Sequence, residues 1–208
     1  MKRAGLEVLL ALAGPLCGFL ACTPPYARLQ GVMVQDRPAK AAELGKVEIV
    51  RSNSPRATET GMGISAGDRL ITDSGVTAVL VLRGGYEVIV EPGSRLTIEN
   101  PSIMVRFGKL IVKAIGVIKE KLTVNNEFAS AGVEGTVFTY ELTREAILRI
   151  SVLEGSVHVK PSEYEITYGA GEGGTITPFR PPQRMLPLAA DTAAVRRRIQ
   201  VVERAVRP

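Results

Sequence analysis

Between residues 44 and 177 the chain is written in short runs where apolar and polar positions alternate with period two. Val47 and Ile49 open the pattern, and a polar loop at 52–55 closes the first run. Residues 77–83 place Ala78, Leu80 and Leu82 on one face and Val79 and Val81 on the other. A strand apolar on both faces is predicted to be covered on both sides. Gly84-Gly85 reads as a two-residue hairpin returning through 86–90, and Pro92-Gly93 turns again into 94–99. A long strand is predicted at 103–115, with Gly108 as a bulge or bend. Shorter runs follow at 122–124, 164–168 and 175–177. The stretch 128–160 organises the whole. Gly132 and Gly135 bracket a bend into 136–141, and runs at 146–153 and 156–160 are joined across Glu154-Gly155. Regularly spaced short strands predict an all-β fold, an antiparallel β-sandwich or jelly-roll-like array. A β-solenoid is the alternative, although no fixed internal repeat marks one.

The two ends depart from this pattern. Met1-Lys2-Arg3 is basic and Val8 to Ala21 is an apolar run, too short to span a bilayer comfortably. The run ends Phe19-Leu20-Ala21-Cys22, which resembles a bacterial lipobox. That places a lipoprotein-type signal peptide at 1–22, with Cys22 as the lipidated first mature residue; ordinary cleavage or an uncleaved anchor are the alternatives. Residues 23–43, with Pro24-Pro25 and Pro38, read as a flexible tether. The β domain is set at 44–177, and 178–208 form a proline-rich linker and a basic C-terminal helix. In that helix Asp191 can cap the start, and Val195, Ile199, Val202 and Val206 form a stripe at helical spacing. With Arg196, Arg197 and Arg198 beside the stripe, the helix either docks on the β body, frays as a tail, or binds a partner or lipid surface.

Composition narrows the function. Hydrophobic residues make up 45% of the 208, aromatics only 5%, and Trp is absent, so the core is aliphatic. The net charge of +5 has no recognition helix, zinc site or aromatic strand face beside it, so nucleic acid is not an expected partner. Cys17 and Cys22 both precede the β domain, which therefore gains no disulfide from them.

The chemical motifs read as scaffold. Gly63-Ile64-Ser65-Ala66-Gly67 matches a nucleophile elbow in letters, but a turn into a strand follows it where a helix is needed. Gly169 to Gly174 matches a dinucleotide fingerprint, yet Pro178 follows too soon for the required helix. The single histidine, His158, lies between two valines of a strand and cannot make a multi-histidine metal site. No catalytic residue, metal ligand or cofactor is expected.

Five motifs in order resemble the FecR domain family over about 44–177. They are Gly67-Asp68-Arg69-Leu70-Ile71-Thr72; the strand from Gly75; Glu91-Pro92-Gly93-Ser94-Arg95-Leu96; Phe107-Gly108-Lys109-Leu110; and Gly135-Thr136 with Phe138, followed by Val152, Gly155 and Val157. The chain departs from the family at Glu134, where Arg is usual, and at Arg83-Gly84-Gly85, where an Asp-Gly turn is usual. The resemblance implies motif turns at Gly67, Asp68, Gly75, Gly93, Gly135, Thr136 and Gly155. It also implies a periplasmic or outer-membrane-associated, non-enzymatic module that binds an envelope protein or a cell-wall polymer. Family members are best known for relaying transport status to a cytoplasmic sigma factor. That route needs a cytoplasmic segment before the anchor, and only Met1 to Arg3 precede the apolar run here, so direct sigma-factor contact is not expected. A structural assembly component and an enzyme acting on envelope glycans or lipids are the other readings.

Overall fold

The computed structural model describes residues 24–185 and 189–206; Cys22 and the expected signal peptide lie outside the described residues. In chain order the strands are β1 (Ala27–Val34), β2 (Arg37–Pro38), β3 (Val47–Arg51), β4 (Ser54–Arg56), β5 (Gly63–Ile64), β6 (Arg69–Thr72), β7 (Val76–Leu82) and β8 (Tyr86–Val90). They continue with β9 (Arg95–Ile98), β10 (Ser102–Ala114), β11 (Leu122–Asn125), β12 (Ala129–Leu142), β13 (Leu148–Pro161), β14 (Ile166–Gly169), β15 (Gly173–Ile176) and β16 (Gln183–Met185). One helix, α1 (Ala189–Val206), follows.

All sixteen strands belong to one hydrogen-bonded network, antiparallel except for β10 with β11. The network folds into two layers because three long strands serve both. The C-terminal part of β10 pairs with β8 and β12, while its N-terminal part pairs with β9 and β11. One layer runs β2-β1-β7-β8-β10-β12-β13-β15-β16, and the other β4-β3-β6-β9-β10-β11-β12-β13-β14. Leu29, Leu80, Val90 and Val112 of the first layer share one apolar core with Ile49, Leu70, Leu96 and Val124 of the second. Each such side chain contributes about 1.5–3 kcal/mol on burial.

The outer face of the first layer holds a second, smaller core. Val79 points there while Ala78, Leu80 and Leu82 point inward, which is the covering on both sides that the sequence of β7 predicts. Met33, Val79, Ile89, Ile111 and Leu153 form an apolar patch on that face, and Val195 and Val202 of α1 seal it. At its end the helix comes close to β1. A Cβ on Gly31 would lie 2.9 Å from Val206 Cγ1. The helix is therefore docked. It starts at Ala189, which puts Asp191 in the first turn rather than at the cap, where its charge complements the helix dipole.

Three boundaries differ from the sequence reading. The expected tether at 23–43 contains β1, a strand paired on both long edges with Leu29, Val32 and Val34 buried, so the folded body begins well before residue 44. The pattern escaped the period-two reading because a bulge between Leu29 and Gly31 reverses its parity. The bends expected at Gly132 and at Glu154-Gly155 are not turns. β12 and β13 are each continuous over 14 residues, with facing bulges. Gly135 and Gly155 occupy the bulges at φ of 59° and 75°. The Arg83-Gly84-Gly85 hairpin uses three residues, with Leu82 paired to Tyr86 and Gly85 at φ 94°.

Candidate functional site

The family-motif residues spread over turns and bulges and do not converge on a cleft. Gly67 (φ 89°) donates its N–H to Ile98 O at 2.8 Å. Asp68, 1% exposed, receives Arg51 through Nε at 2.8 Å and Nη2 at 2.6 Å, and the Ser65 N–H at 2.8 Å. Burial alone would push the Asp68 carboxyl up; Arg51 and the Ser65 amide outweigh it and hold it below its ordinary value. Gly75 (φ 73°) and Gly93 (φ 69°) turn the chain at neighbouring corners, and Gly93 N–H reaches Asp73 O at 3.2 Å. Thr136 is buried in the β12 bulge against Gly155. These residues shape the scaffold.

The motifs weighed for chemistry are scaffold as well. Ser65 Oγ accepts from Arg51 at 3.3 Å, while the ring of His158 bonds Thr167 and Glu165. Gly169 to Gly174 spans the β14–β15 hairpin. Among the described residues no group of three or more His, Cys, Asp or Glu is placed to hold a metal ion.

The helix residues do converge. Val195, Ile199 and Val202 face the sheet, so this apolar stripe is spent on docking. Arg198, three positions after Val195, lies on the same inward face. Its guanidinium donates to Glu91 through Nε at 2.8 Å and Nη2 at 2.9 Å, to Thr77 Oγ1 at 2.5 Å, and to Asp36. Glu203 pairs with Lys113, and Arg196 reaches Glu154 at 3.3 Å. Arg197 is exposed.

The helix leaves part of the sheet face uncovered. Beside its first half is an open cleft of ≈ 610 Å³. Its walls are Asp191, Thr192 and Val195 on one side, and strands β10, β12 and β13, with Glu91 and Pro92 of the turn after β8, form the floor. The strand register arranges that floor. Glu91 N–H bonds Lys109 O at 2.9 Å, Lys109 pairs with Glu141, and Glu141 with Arg149. Adjacent strands thus present acid, base, acid, base in one row. The next row carries Ile111, Thr139 and Ser151. Sequence inspection alone cannot find this site, because its floor residues come from three strands and a turn whose register is non-local.

The scaffold is all-β, a mostly antiparallel strand network with a C-terminal helix docked on its outer face. Residues 68–158 match the family model described as FecR protein. No curated protein matches the chain. Two crystal structures of a proposed anti-sigma factor from Parabacteroides distasonis, at 2.50 Å and 1.65 Å, share the fold at 16% identity, with TM-scores of 0.53 and 0.54. The match covers 61% of this chain and 62% and 63% of those chains, so it spans less than two thirds of their length. No helix among the described residues is long and apolar enough to cross a membrane.

Proposed function

We propose that this protein is a non-enzymatic FecR-domain module of the bacterial envelope that works in signalling by binding, held to a membrane by lipid on Cys22. The observation that carries the reading is the open, polar-floored cleft beside a helix latched onto the FecR scaffold. A cleft of this size fits a ligand or a partner's side chains. Its partner is an envelope protein or a cell-wall polymer, with no nucleic acid, cofactor or direct sigma-factor contact in the scheme. The likeness to a proposed anti-sigma factor supports a regulatory setting.

The test is site-specific photo-crosslinking in the native envelope. A crosslinker at Thr192, on the cleft wall, captures a discrete envelope species that one at Glu163, in the exposed β13–β14 loop, does not. Equal labelling from both positions overturns the reading. Crosslinks only to further copies of the chain favour a structural assembly role, for which the fully exposed edge strand β16 is the supporting observation. Replacing Cys22 with Ser should move the protein from the membrane to the soluble fraction; unchanged partitioning removes the lipid anchor.

A further inference from the structure

We propose that the cleft beside α1 binds a short zwitterionic peptide whose charges run acid, base, acid. The inference rests on the reading of the cleft as the binding site and adds the chemistry of its ligand.

The row on the cleft floor is the starting point. Glu91 is already matched, because Arg198 grips both of its oxygens. Lys109, Glu141 and Arg149 continue the row. Lys109 has no ion-pair partner among the described residues, and Glu141 and Arg149 approach only to 3.8 Å with both side chains well exposed. An exposed pair at that distance contributes little, so exchanging it for ligand contacts costs little. The positions open to a ligand therefore read base, acid, base, and the complementary ligand reads acid, base, acid. A simple anion would meet Glu141 and Asp191, and a simple cation would meet Lys109 and Arg149. Only a molecule bearing both signs satisfies the row.

Neighbouring strands lie about 4.8 Å apart, so Lys109 and Arg149 stand about 10 Å apart at their backbones. The first and third residues of an extended tripeptide are two steps, about 7 Å, apart, and flexible side chains on both partners cover the remainder. Below the charges, Ile111, Leu153 and Val195 offer an apolar base for aliphatic side-chain stems. Thr139 adds a hydroxyl to the same floor: it is only 6% exposed and lines the cleft. A hydroxyl there is suited to a peptide carbonyl or amide.

The experiment uses the full chain in detergent micelles and three capped tripeptides, Glu-Lys-Glu, Lys-Glu-Lys and Gln-Gln-Gln, titrated by calorimetry. Glu-Lys-Glu should bind at least tenfold tighter than either of the others and weaken as salt is raised. The triple variant Lys109→Glu, Glu141→Lys, Arg149→Glu should reverse the order and prefer Lys-Glu-Lys. If that variant does not fold, Lys109→Gln serves, with at least a threefold loss for Glu-Lys-Glu. Equal affinity for all three peptides overturns the charge assignment. No binding by any peptide, with Thr192 crosslinks retained, overturns the ligand class and leaves the cleft as a binding site. No binding together with lost Thr192 crosslinks overturns both.

Discussion

Arg198 and Glu91, 107 positions apart in sequence, meet through two parallel charge-assisted hydrogen bonds of 2.8 and 2.9 Å. The pair is mostly shielded, with side-chain exposures of 19% and 13%, so water competes weakly for it. It joins the middle of α1 to the end of β8 and leaves the apolar patch sealed. Arg198→Ala should therefore destabilise the protein by about 1.5–3 kcal/mol. Hydrogen exchange should rise in α1 first, ahead of the strands. Uniform acceleration across sheet and helix would mean that α1 and the sheet unfold as one unit.

Asp68 gives the protein a specific acid sensitivity. Its folded pKa lies below the ordinary carboxylate value, so folding favours the charged form. The unfolded chain then binds more protons in the acid range, and stability falls as pH drops below about 4. Above that range the contribution is constant. Thermal melts of wild type and Asp68→Asn should differ most near neutral pH and converge as pH falls through the folded pKa. A constant difference across the acid range would place the acid sensitivity elsewhere.

Gly155 and Gly75 separate two costs that glycine avoids. Their φ angles are 75° and 73°, so alanine meets the same backbone penalty at both, about 1–2 kcal/mol. Around Gly75 the nearest atom to an added Cβ is 3.9 Å away. At Gly155 the Cβ would lie 2.7 Å from Thr136 Cγ2 and 2.8 Å from Gly135 O. Gly155→Ala should thus cost about 1–3 kcal/mol more than Gly75→Ala. Urea midpoints with unchanged m-values check it.

Much of the sheet is legible in the sequence because its signals are local. The alternating faces of β7, the turn at Pro92-Gly93, the irregular backbone at Gly108 (φ 117°) and the stripe of α1 all lie in windows of a few residues. What escapes is non-local. The 154–155 step resembles a turn until β12 is placed opposite, where a bulge in one strand demands a bulge in the other. The inward position of Arg198 follows from its spacing to Val195, but its partners Glu91, Asp36 and Thr77 lie on three distant segments. The charge row of the cleft requires the register of three strands and a turn at once.

The domain boundary carries the same lesson into a measurement. β1 pairs with β7 along its length and buries Leu29, Val32 and Val34, so removing it opens both cores. A chain starting at residue 44 should fail to show a cooperative melt, whereas one starting at residue 24 should melt cooperatively. Equal behaviour would make β1 dispensable.

Phe179 is held at φ 59° and is 92% exposed, in the loop between β15 and β16. A bulky side chain in that backbone region is strained, and this one gains no burial in return. Phe179→Gly should relieve the strain while giving back part of the gain through a looser unfolded chain, a net stabilisation of about 0.5–1 kcal/mol. Loss of stability instead would mean that the ring packs within the fold. Stabilisation joined to weaker crosslinking in the envelope would mark Phe179 as a side chain kept exposed for contact. The register puts it at the opposite end of the sheet from Pro24: Ile176 pairs with Leu148, Leu148 with Leu142, Leu142 with Gly108, while Ala27 pairs with Leu82. A chain anchored through its N-terminal segment would then present Phe179 away from the anchoring end, and crosslinks from position 179 should fall on a partner and not on lipid.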